Sequence, residues 1–255
     1  MNRIVIKVGS AVLSQDGKLA YKRLANLVQL ISKLSKSNEV ILVSSGAVAA
    51  GFTLLQLDKT IVQNKQALAS IGQTYLMHEY QKIFLNYNML CSQVLLEKSI
   101  FNDKERLIHM QEAINVLLKN KVVPIINEND VTAVDELVFG DNDQLSAYVT
   151  KYTNASMLVI LSDIDGYYDD NPKTNPNAKI LKTVSNINKN ELEAKQSANS
   201  EFATGGIVTK LKAANFLLKN NKKMFLSSGF DLINIQKYLL DNIHESGTLF
   251  SKEKG

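Results

Sequence analysis

The sequence has a single cysteine and only three histidines among its 255 residues. Cys91 lies inside the apolar run MLCSQVLL, where we expect a buried, reduced thiol. This excludes the disulfide-rich class of secreted proteins. His78, His109 and His244 are far apart and lack a metal-ligand spacing such as H-x-x-x-H. No histidine-based metal site is therefore predicted.

Targeting segments and long apolar runs are also missing. The start, MNRIVIKVGS, lacks the charged beginning, long apolar core and small-residue cleavage site of a signal peptide. No apolar run reaches the length that a membrane span requires. The sequence therefore predicts a cytoplasmic protein with no membrane partner.

Neither sign of charge is in large excess, since 29 Lys and Arg residues face 25 Asp and Glu residues. The formal net charge is +4, the lysines are scattered, and no basic stripe is interleaved with aromatic residues. A nucleic-acid partner is therefore not predicted. A mildly basic balance instead suits small anionic substrates.

The sequence does contain a regular alternation of short apolar runs and amphipathic segments. Runs that are apolar on both faces and alternate with helices predict an α/β fold with a mainly parallel sheet covered on both sides. The predicted strands are residues 3–8, 39–43, 91–96, 121–127, 156–162 and 222–227, and the predicted helices include residues 22–36, 66–85, 104–120 and 207–220.

The domain organisation is predicted to be simple. No repeat, low-complexity tract or linker divides the chain, so residues 1–255 are expected to form one domain. The segment DDNPKTNPNAKI, residues 169–180, holds two of the three prolines and is typical of an exposed turn and hairpin. We expect it near a seam between an N-terminal lobe, about residues 1–155, and a C-terminal lobe, about residues 156–255.

Polar segments follow the predicted strands, where ligands of parallel sheets bind. Lys7 lies near the end of the first strand, and Gly9 after the strand would let a phosphate approach. The alternative is a lysine that extends from a strand end into water. SSGAVAAG, residues 44–51, follows the second strand and opens a helix suited to a carboxylate or phosphate. The alternative for that segment is an N-cap followed by close helix packing.

The segment after the fourth strand, NENDVTAVDELVFGDNDQLSA, is the most informative. We interpret residues 127–147 as one long loop, and loops of that length between packed elements are usually functional. Its amide and carboxylate side chains suit an amino-acid substrate, whereas the alternative is a solvated acidic loop. The residues concerned are Asn127, Glu128, Asn129, Asp130, Asp141, Asn142 and Asp143.

Two further segments complete the predicted sheet edge. Ser162 and Asp163 end the fifth strand, where Asp163 is suited to a ribose, a base edge or a metal, or simply to a turn. In FATGGIVTKLKAANFLLKN, residues 202–220, Thr204 can cap a helix whose glycine-rich start and Lys210 suit an anion. The alternative is a capped helix with a solvated lysine. The segment lacks the residue order of a Walker A motif.

Together these segments predict phosphoryl transfer. Lys7 and Lys210 would supply positive charge around the moving phosphoryl group, and Asp143 would hold the two lysines in place. A carboxylate acceptor is already ionised at neutral pH and needs no strong base. The lack of a Ser-His-Asp or Cys-His arrangement is then no difficulty.

The motifs IKVGSAVL, VSSGAVAAG, LASIGQ, VVPIINENDVTAVDELVFGDNDQLSA, LSDIDGYYDDNPKTNPNAKI, TGGIVTKLKAA and SGTLF occur in this order from residue 4 to residue 250. In order and spacing they resemble the glutamate 5-kinases of the amino acid kinase family. The resemblance implies a three-layer αβα sandwich that transfers the γ-phosphoryl group of ATP to the side-chain carboxylate of L-glutamate. The product would be L-glutamyl 5-phosphate, in the first step of proline biosynthesis.

The resemblance also implies roles for individual residues. Lys7, Lys210 and Asp143 match the catalytic positions, and Ser45, Asp130 and Asn142 match the positions that bind glutamate in the N-terminal lobe. The positions that bind ATP, mainly in the C-terminal lobe, are Lys7, Ser162, Asp163, Thr204, Gly205, Gly206, Ile207, Val208, Thr209 and Lys210.

Several partners are implied in the same way. Mg²⁺ would accompany ATP without a dedicated metal site, proline would act as a feedback inhibitor, and the chain would form a homo-oligomer, a dimer or a tetramer. Many family members carry a C-terminal PUA domain. This sequence stops soon after SGTLF, so no PUA domain is expected.

Three alternative functions stay open at this point. A related kinase acting on acetylglutamate, aspartate, carbamate or UMP would share the sheet and the ATP site, but SSGA and NEND…GDND favour free glutamate. A non-catalytic sensor of amino acids or nucleotides is disfavoured because Lys7, Lys210 and Asp143 are all present. A dinucleotide-dependent oxidoreductase is disfavoured because KVGSAVL, not G-x-G-x-x-G, follows the first strand.

Overall fold

The structure is a computed structural model that describes residues 1–132, 142–172, 174–193 and 205–253. Its first elements, up to the fourth long strand, are β1 (Asn2–Val8), α1 (Ser10–Leu13), β2 (Ser14–Gln15), β3 (Lys18–Leu19), α2 (Tyr21–Leu34), β4 (Asn38–Ser44), α3 (Ala47–Leu54), α4 (Val62–Leu85), β5 (Leu90–Leu96), a 3-10 helix (Lys98–Asn102), α5 (Lys104–Lys119) and β6 (Val122–Glu128). The elements that follow are α6 (Asp143–Tyr152), β7 (Met157–Ser162), β8 (Thr183–Val184), α7 (Lys189–Glu193), α8 (Gly205–Lys219), β9 (Lys223–Ser228), α9 (Ile233–Gln236), a π-helix (Lys237–Asp241) and β10 (Thr248–Phe250).

One eight-stranded sheet organises the described residues, in the order β5-β6-β4-β1-β7-β9-β10-β8. The five pairings from β5 to β9 are parallel, whereas β10 runs antiparallel to β9 and parallel to β8. Because β1 pairs with β4 on one side and β7 on the other, it lies in the middle of the sheet. The α/β fold with a mainly parallel sheet is confirmed.

Successive residues of the buried strands face opposite sides of the sheet and build two hydrophobic cores. Ile4 and Ile6 of β1 pack in one core together with Leu27 of α2 and Tyr80 of α4. Val5 of β1 lies in the other core, together with side chains of α5, α6 and α8 that include Ile114, Leu145 and Leu211. Helices therefore cover both faces of the sheet, as the predicted αβα sandwich requires.

Small residues let α3 and α4 pack backbone against backbone. A Cβ atom added at Gly51 would collide with the backbone of Leu68, and one added at Gly72 would collide with the carbonyl oxygen of Ala47. The small residues of SSGAVAAG therefore do serve close helix packing, as one interpretation of that segment held. This contact fixes where α3 begins, directly after β4.

The sequence-based description of the fold is right for the long elements and incomplete for the short ones. All six predicted strands are present, and α2, α4, α5 and α8 coincide with the predicted helices within a few residues. The antiparallel bridge between Tyr168 and Ile180 confirms the hairpin predicted at residues 169–180.

The interpretation of residues 127–147 as one loop is wrong at its end. Helix α6 begins at Asp143, because Leu145 and Val149 bury a helical face in the core.

The short strands β8 and β10 were not predicted from the sequence. Within the described part of the chain, no helix is both long enough and apolar enough to cross a membrane.

Candidate active site

The carboxyl ends of the central strands lie at one edge of the sheet and carry the polar segments predicted from the sequence. The register aligns Val8 at the end of β1 with Ser44 of β4 and with Leu161 of β7. The backbone N–H of Gly9 donates to the carbonyl oxygen of Leu161, and that of Ser45 donates to the carbonyl oxygen of Val8. The segments that follow β1, β4 and β7 are thereby tied to each other.

Lys7, Asp143 and Lys210 form a buried group of ion pairs at this edge, called here the lysine–aspartate cluster. Lys7 Nζ lies 2.6 Å from Asp143 Oδ1, and Lys210 Nζ lies 3.1 Å from Asp143 Oδ2. The residues are 3%, 6% and 0% exposed for Lys7, Lys210 and Asp143. Lysines are seldom buried this deeply unless they are paired, and one carboxylate here pairs with both.

Each member of the cluster comes from a different element. Lys7 lies near the end of β1, Asp143 is the first residue of α6, and Lys210 lies in the second turn of α8. Lys210 Nζ also donates to the carbonyl oxygen of Gly206 at 3.0 Å, and Thr209 Oγ1 donates to Asp143 Oδ2 at 3.1 Å. The start of α8 is therefore held against the start of α6 by polar contacts through Asp143.

Glycines keep space open beside both ammonium groups. A Cβ atom at Gly9 would lie 4.0 Å from Lys7 Nζ, and one at Gly206 would lie 3.8 Å from Lys210 Nζ. A side chain at either position would occupy the space next to the charge. Backbone that can approach closely, together with a helix N-terminus and lysine, fits the phosphate chain of a nucleotide.

The remaining residues that were predicted to bind the nucleotide belong to two segments, one at the start of α8 and one at the end of β7. Thr204 lies outside the described residues, and Gly205 begins α8. Ile207 is half-buried and packs against the core, and Val208 is buried. Ser162 is buried at the end of β7, where its Oγ donates to Oδ1 of the exposed Asp163 at 2.8 Å.

An amide network continues from the cluster along the sheet edge. Asn142 Nδ2 donates to Asn127 Oδ1 at 2.8 Å and to the carbonyl oxygen of Ser44 at 3.1 Å. Asn127 Nδ2 in turn donates to Gln73 Oε1 at 3.0 Å. The buried Oδ1 of Asn142 has no hydrogen-bond partner among the described residues. A buried acceptor left unsatisfied in this way is unusual in a folded protein and marks this network as a candidate functional region.

A cavity of about 280 Å³ adjoins this network, and we call it the α3 cavity. Ser45, the first residues of α3, Asn127 and Asp130 line it. Gly46 has a positive φ of 101°, which lets the chain turn sharply from β4 into α3. The first N–H groups of α3 have no side-chain cap. They can therefore bind an anion that enters the cavity.

Asp130 is the carboxylate of the α3 cavity. It is 8% exposed, and its Oδ1 has no hydrogen-bond partner in the described part of the chain. Burial, with a smaller contribution from the negative charge of Glu128, raises the pKa of Asp130 to about 7. A buried carboxylate with a free oxygen is suited to an ammonium group.

The cavity also contains two residues that sequence reasoning missed, Lys59 and Lys65. Lys59 lies in the connection between α3 and α4, and Lys65 lies in the first turns of α4. Neither lysine follows a strand, so the expectation that ligands bind at the carboxyl ends of the strands does not identify them. A larger depression of about 580 Å³ lies along residues 15–23. Two others, of about 710 and 650 Å³, lie around the opposite ends of the strands, near Asn2 and Asn38. They are remote from the cluster.

The residues that the structure describes contain no group of three or more His, Cys, Asp or Glu side chains that could hold a metal ion. Carboxylates at the sheet edge instead contact lysines, as Asp143 does, or line the α3 cavity, as Asp130 does.

Known proteins that are similar in sequence show which family this chain belongs to. The model of the amino acid kinase family matches residues 2–228. The chain is 52% identical over 250 residues to a glutamate 5-kinase of Leishmania donovani, covering 98% of this chain and 95% of that protein. It is also 52% identical over 255 residues to a glutamate 5-kinase of Wolinella succinogenes, covering 98% of each.

Solved structures share the fold at much lower identity. A carbamate kinase from Giardia lamblia bound to AMP-PNP aligns with a TM-score of 0.66 at 16% identity, covering 99% of both chains. A UMP kinase from Ureaplasma parvum aligns with a TM-score of 0.63 at 18% identity, covering 98% of this chain and 99% of that one. With this fold, this family match and these relatives, the chain belongs to the amino acid kinase family and, within it, to the glutamate 5-kinases.

Proposed function

We propose that this chain transfers the γ-phosphoryl group of ATP to the side-chain carboxylate of L-glutamate and forms L-glutamyl 5-phosphate, in the first step of proline biosynthesis. The observation that carries the proposal is the position of the lysine–aspartate cluster beside the α3 cavity. Asn142, next to Asp143 in the chain, bonds Asn127, which lines that cavity. A site for a moving phosphoryl group thus adjoins a site for a small charged acceptor.

The nucleotide is proposed to bind over the C-terminal lobe. The open backbone at Gly9 and Gly206 and the ammonium groups of Lys7 and Lys210 would hold its phosphates. Asp163 is exposed at the end of β7 and is available to the ribose or base. Thr204 to Thr209 are assigned by resemblance to the same site. Mg²⁺ would enter with ATP, because Mg²⁺ is commonly held by substrate phosphates, water and one or two carboxylates.

Glutamate is proposed to bind in the N-terminal lobe, in the α3 cavity. Asp130 Oδ1 and Asn142 Oδ1 are both buried and lack hydrogen-bond partners among the described residues, so they can accept from the substrate ammonium group. Ser45 and the N-terminus of α3 would bind the side-chain carboxylate and direct it towards Lys7. The resemblance matches Ser45, Asp130 and Asn142 to glutamate-binding positions, and the substrate group assigned to each is proposed from the geometry.

In the transfer itself, a side-chain carboxylate oxygen would form the new bond to phosphorus while the bond from phosphorus to the ADP oxygen breaks. Lys7 and Lys210 would stabilise the negative charge spread over the transferring group and the leaving oxygen. Asp143 would hold both ammonium groups without accepting a proton. The acceptor is already a carboxylate, so no residue is needed as a general base.

Further properties are proposed from the resemblance. We propose a homo-oligomer, a dimer or a tetramer, which is supported by the edge strand β5, where Leu90 is 62% exposed. Inhibition by proline is proposed as feedback by the pathway product. The cytoplasm is the proposed compartment, since Cys91 is a free thiol.

The test measures ATP-dependent acyl-phosphate formation, trapped with hydroxylamine, together with ADP release. The acceptors are glutamate, acetylglutamate, aspartate, carbamate, UMP and none. Signal with glutamate alone is expected. Signal with another acceptor only would overturn the roles of Ser45, Asp130 and Asn142. Folded protein that binds ATP but releases no ADP with any acceptor would favour a sensor.

A further inference from the structure

Lys59 and Lys65 line the α3 cavity, and the proposed transfer leaves them without a role. They come from the connection between α3 and α4 and from the start of α4, not from the strand ends that carry the other candidate residues. An inference about them rests on the proposed function, because it concerns the acceptor site of that reaction.

The ammonium group of Lys59 is held in a defined position. Its Nζ donates to the carbonyl oxygen of Gly17 at 3.0 Å, in the turn between β2 and β3, and lies 3.5 Å from the centre of the Phe52 ring. An ammonium group has three N–H donors, and Gly17 uses one of them. Partial burial lowers the pKa of Lys59, as expected for a cation drawn away from water. Donors thus remain for an anion in the cavity.

The charges that line the cavity match those of a free dicarboxylic amino acid. The lining side chains include two ammonium groups, Lys59 and Lys65, and one carboxylate, Asp130. Glutamate carries the complementary set of one ammonium group and two carboxylates. If Asp130 accepts the ammonium group and the side-chain carboxylate points to the N-terminus of α3, the α-carboxylate needs a cationic partner of its own.

We propose that Lys59 and Lys65 bind the α-carboxylate of the acceptor and thereby select a free α-amino acid over an acceptor without that group. The ammonium group of Lys59 is anchored by Gly17 and Phe52, so it requires little ordering when the substrate enters. Lys65 adds a second cation from α4. The two lysines are specificity residues, whereas the lysine–aspartate cluster performs the transfer.

The experiment compares three acceptors: glutamate, 4-aminobutyrate, which lacks the α-carboxylate, and glutarate, which lacks the ammonium group. ADP release is measured for the wild-type chain, for Lys59→Gln and Lys65→Gln singly, and for the double variant. We expect the preference for glutamate over 4-aminobutyrate, as a ratio of kcat/KM values, to fall by about tenfold or more in the double variant. KM for ATP should stay near the wild-type value.

Controls separate recognition from damage to the fold. Lys18→Gln changes an exposed lysine of the neighbouring hairpin and should keep the wild-type preference. Arginine at positions 59 and 65 retains the charges and should restore part of the preference. Wild-type turnover of glutamate with an unchanged preference in the folded double variant would overturn this inference alone. Absence of glutamate turnover in the wild-type chain would overturn the proposed function and this inference with it.

Discussion

The lysine–aspartate cluster and the α3 cavity lie side by side but differ in how far their polar groups are satisfied. In the cluster, both carboxylate oxygens of Asp143 face an ammonium group at 2.6 and 3.1 Å. In the cavity, Oδ1 of Asp130 is buried without a hydrogen-bond partner among the described residues. The cluster is therefore already assembled, whereas the cavity keeps an unsatisfied acceptor.

This difference predicts separate roles, with the cluster acting in the transfer step and the cavity acting in substrate binding. A preassembled set of charges requires little reorganisation during the reaction, so its loss should lower kcat. A buried acceptor that awaits a donor contributes when substrate binds, so its loss should raise KM.

The largest effect is expected for Lys210→Ala. The substitution removes one of the two charges proposed to stabilise the transferring phosphoryl group, so kcat should fall about 100-fold or more. Stability should change much less, because Asp143 keeps its ion pair with Lys7. Steady-state kinetics and thermal unfolding of the same preparation would test both statements.

The matched control is Lys212→Ala, which removes an exposed lysine two residues further along the same helix. It should leave kcat unchanged. A folded Lys210→Ala variant with near-normal turnover would refute the role given to Lys210, and with it the contrast between the two regions.

Asp130→Asn is expected to raise KM for glutamate by roughly tenfold or more, because a charged hydrogen bond to the substrate ammonium group is lost. The values of kcat and of KM for ATP should change little. Asp241→Asn, at an exposed aspartate remote from the cavity, is the control. If the Asp130 variant lost kcat and kept its KM, the cavity would belong to the chemistry rather than to binding.

The dependence of kcat/KM for glutamate on pH should follow the ionisation of the Asp130 carboxyl group. Burial and the charge of Glu128 raise its pKa to about 7, so in the free protein the carboxylate ionises as the pH rises through that value. Because the ionised form binds the ammonium group, kcat/KM for glutamate should increase between about pH 6 and pH 8 and then level off. The nearby charges of Lys59 and Lys65 favour the ionised form and oppose the shift.

Asp130→Asn provides the check on this pH dependence. The rise near pH 7 should be absent in the variant, whereas the wild-type chain should show it with glutamate. A rise of equal size in both proteins would assign the titration to another group.

The sequence predicts the framework and much of the candidate site for a physical reason. Long strands that are apolar on both faces have few alternatives to a central parallel sheet, and the six predicted strands are present. A lysine near the end of such a strand, as Lys7 is, is conspicuous because burial of its charge requires a partner. The structure places Lys7, Asp143 and Lys210 together, and their roles in transfer remain predictions.

The parts that the sequence did not reveal depend on tertiary contacts. β10 has three residues, and its place beside β9 follows from sheet register rather than from a local pattern. Lys59 lines the cavity with its ammonium group held by Phe52 and by Gly17, which is far from it in the sequence. No periodicity or strand end marks it. The start of α6 was hidden by the polar residues around Asp143.

The smallest effect is expected on the nucleotide side, at Ser162. Its buried hydroxyl donates a 2.8 Å hydrogen bond to Asp163, which is itself exposed. Ser162→Ala should therefore raise KM for ATP only about two- to tenfold, because the substitution removes one hydrogen bond that orients an exposed side chain, and leave KM for glutamate unchanged. Ser162→Thr retains the hydroxyl and should behave like the wild-type chain. An equal increase in KM for glutamate would show that the two sides of the site are coupled through β7, and would weaken the separation on which the other predictions depend.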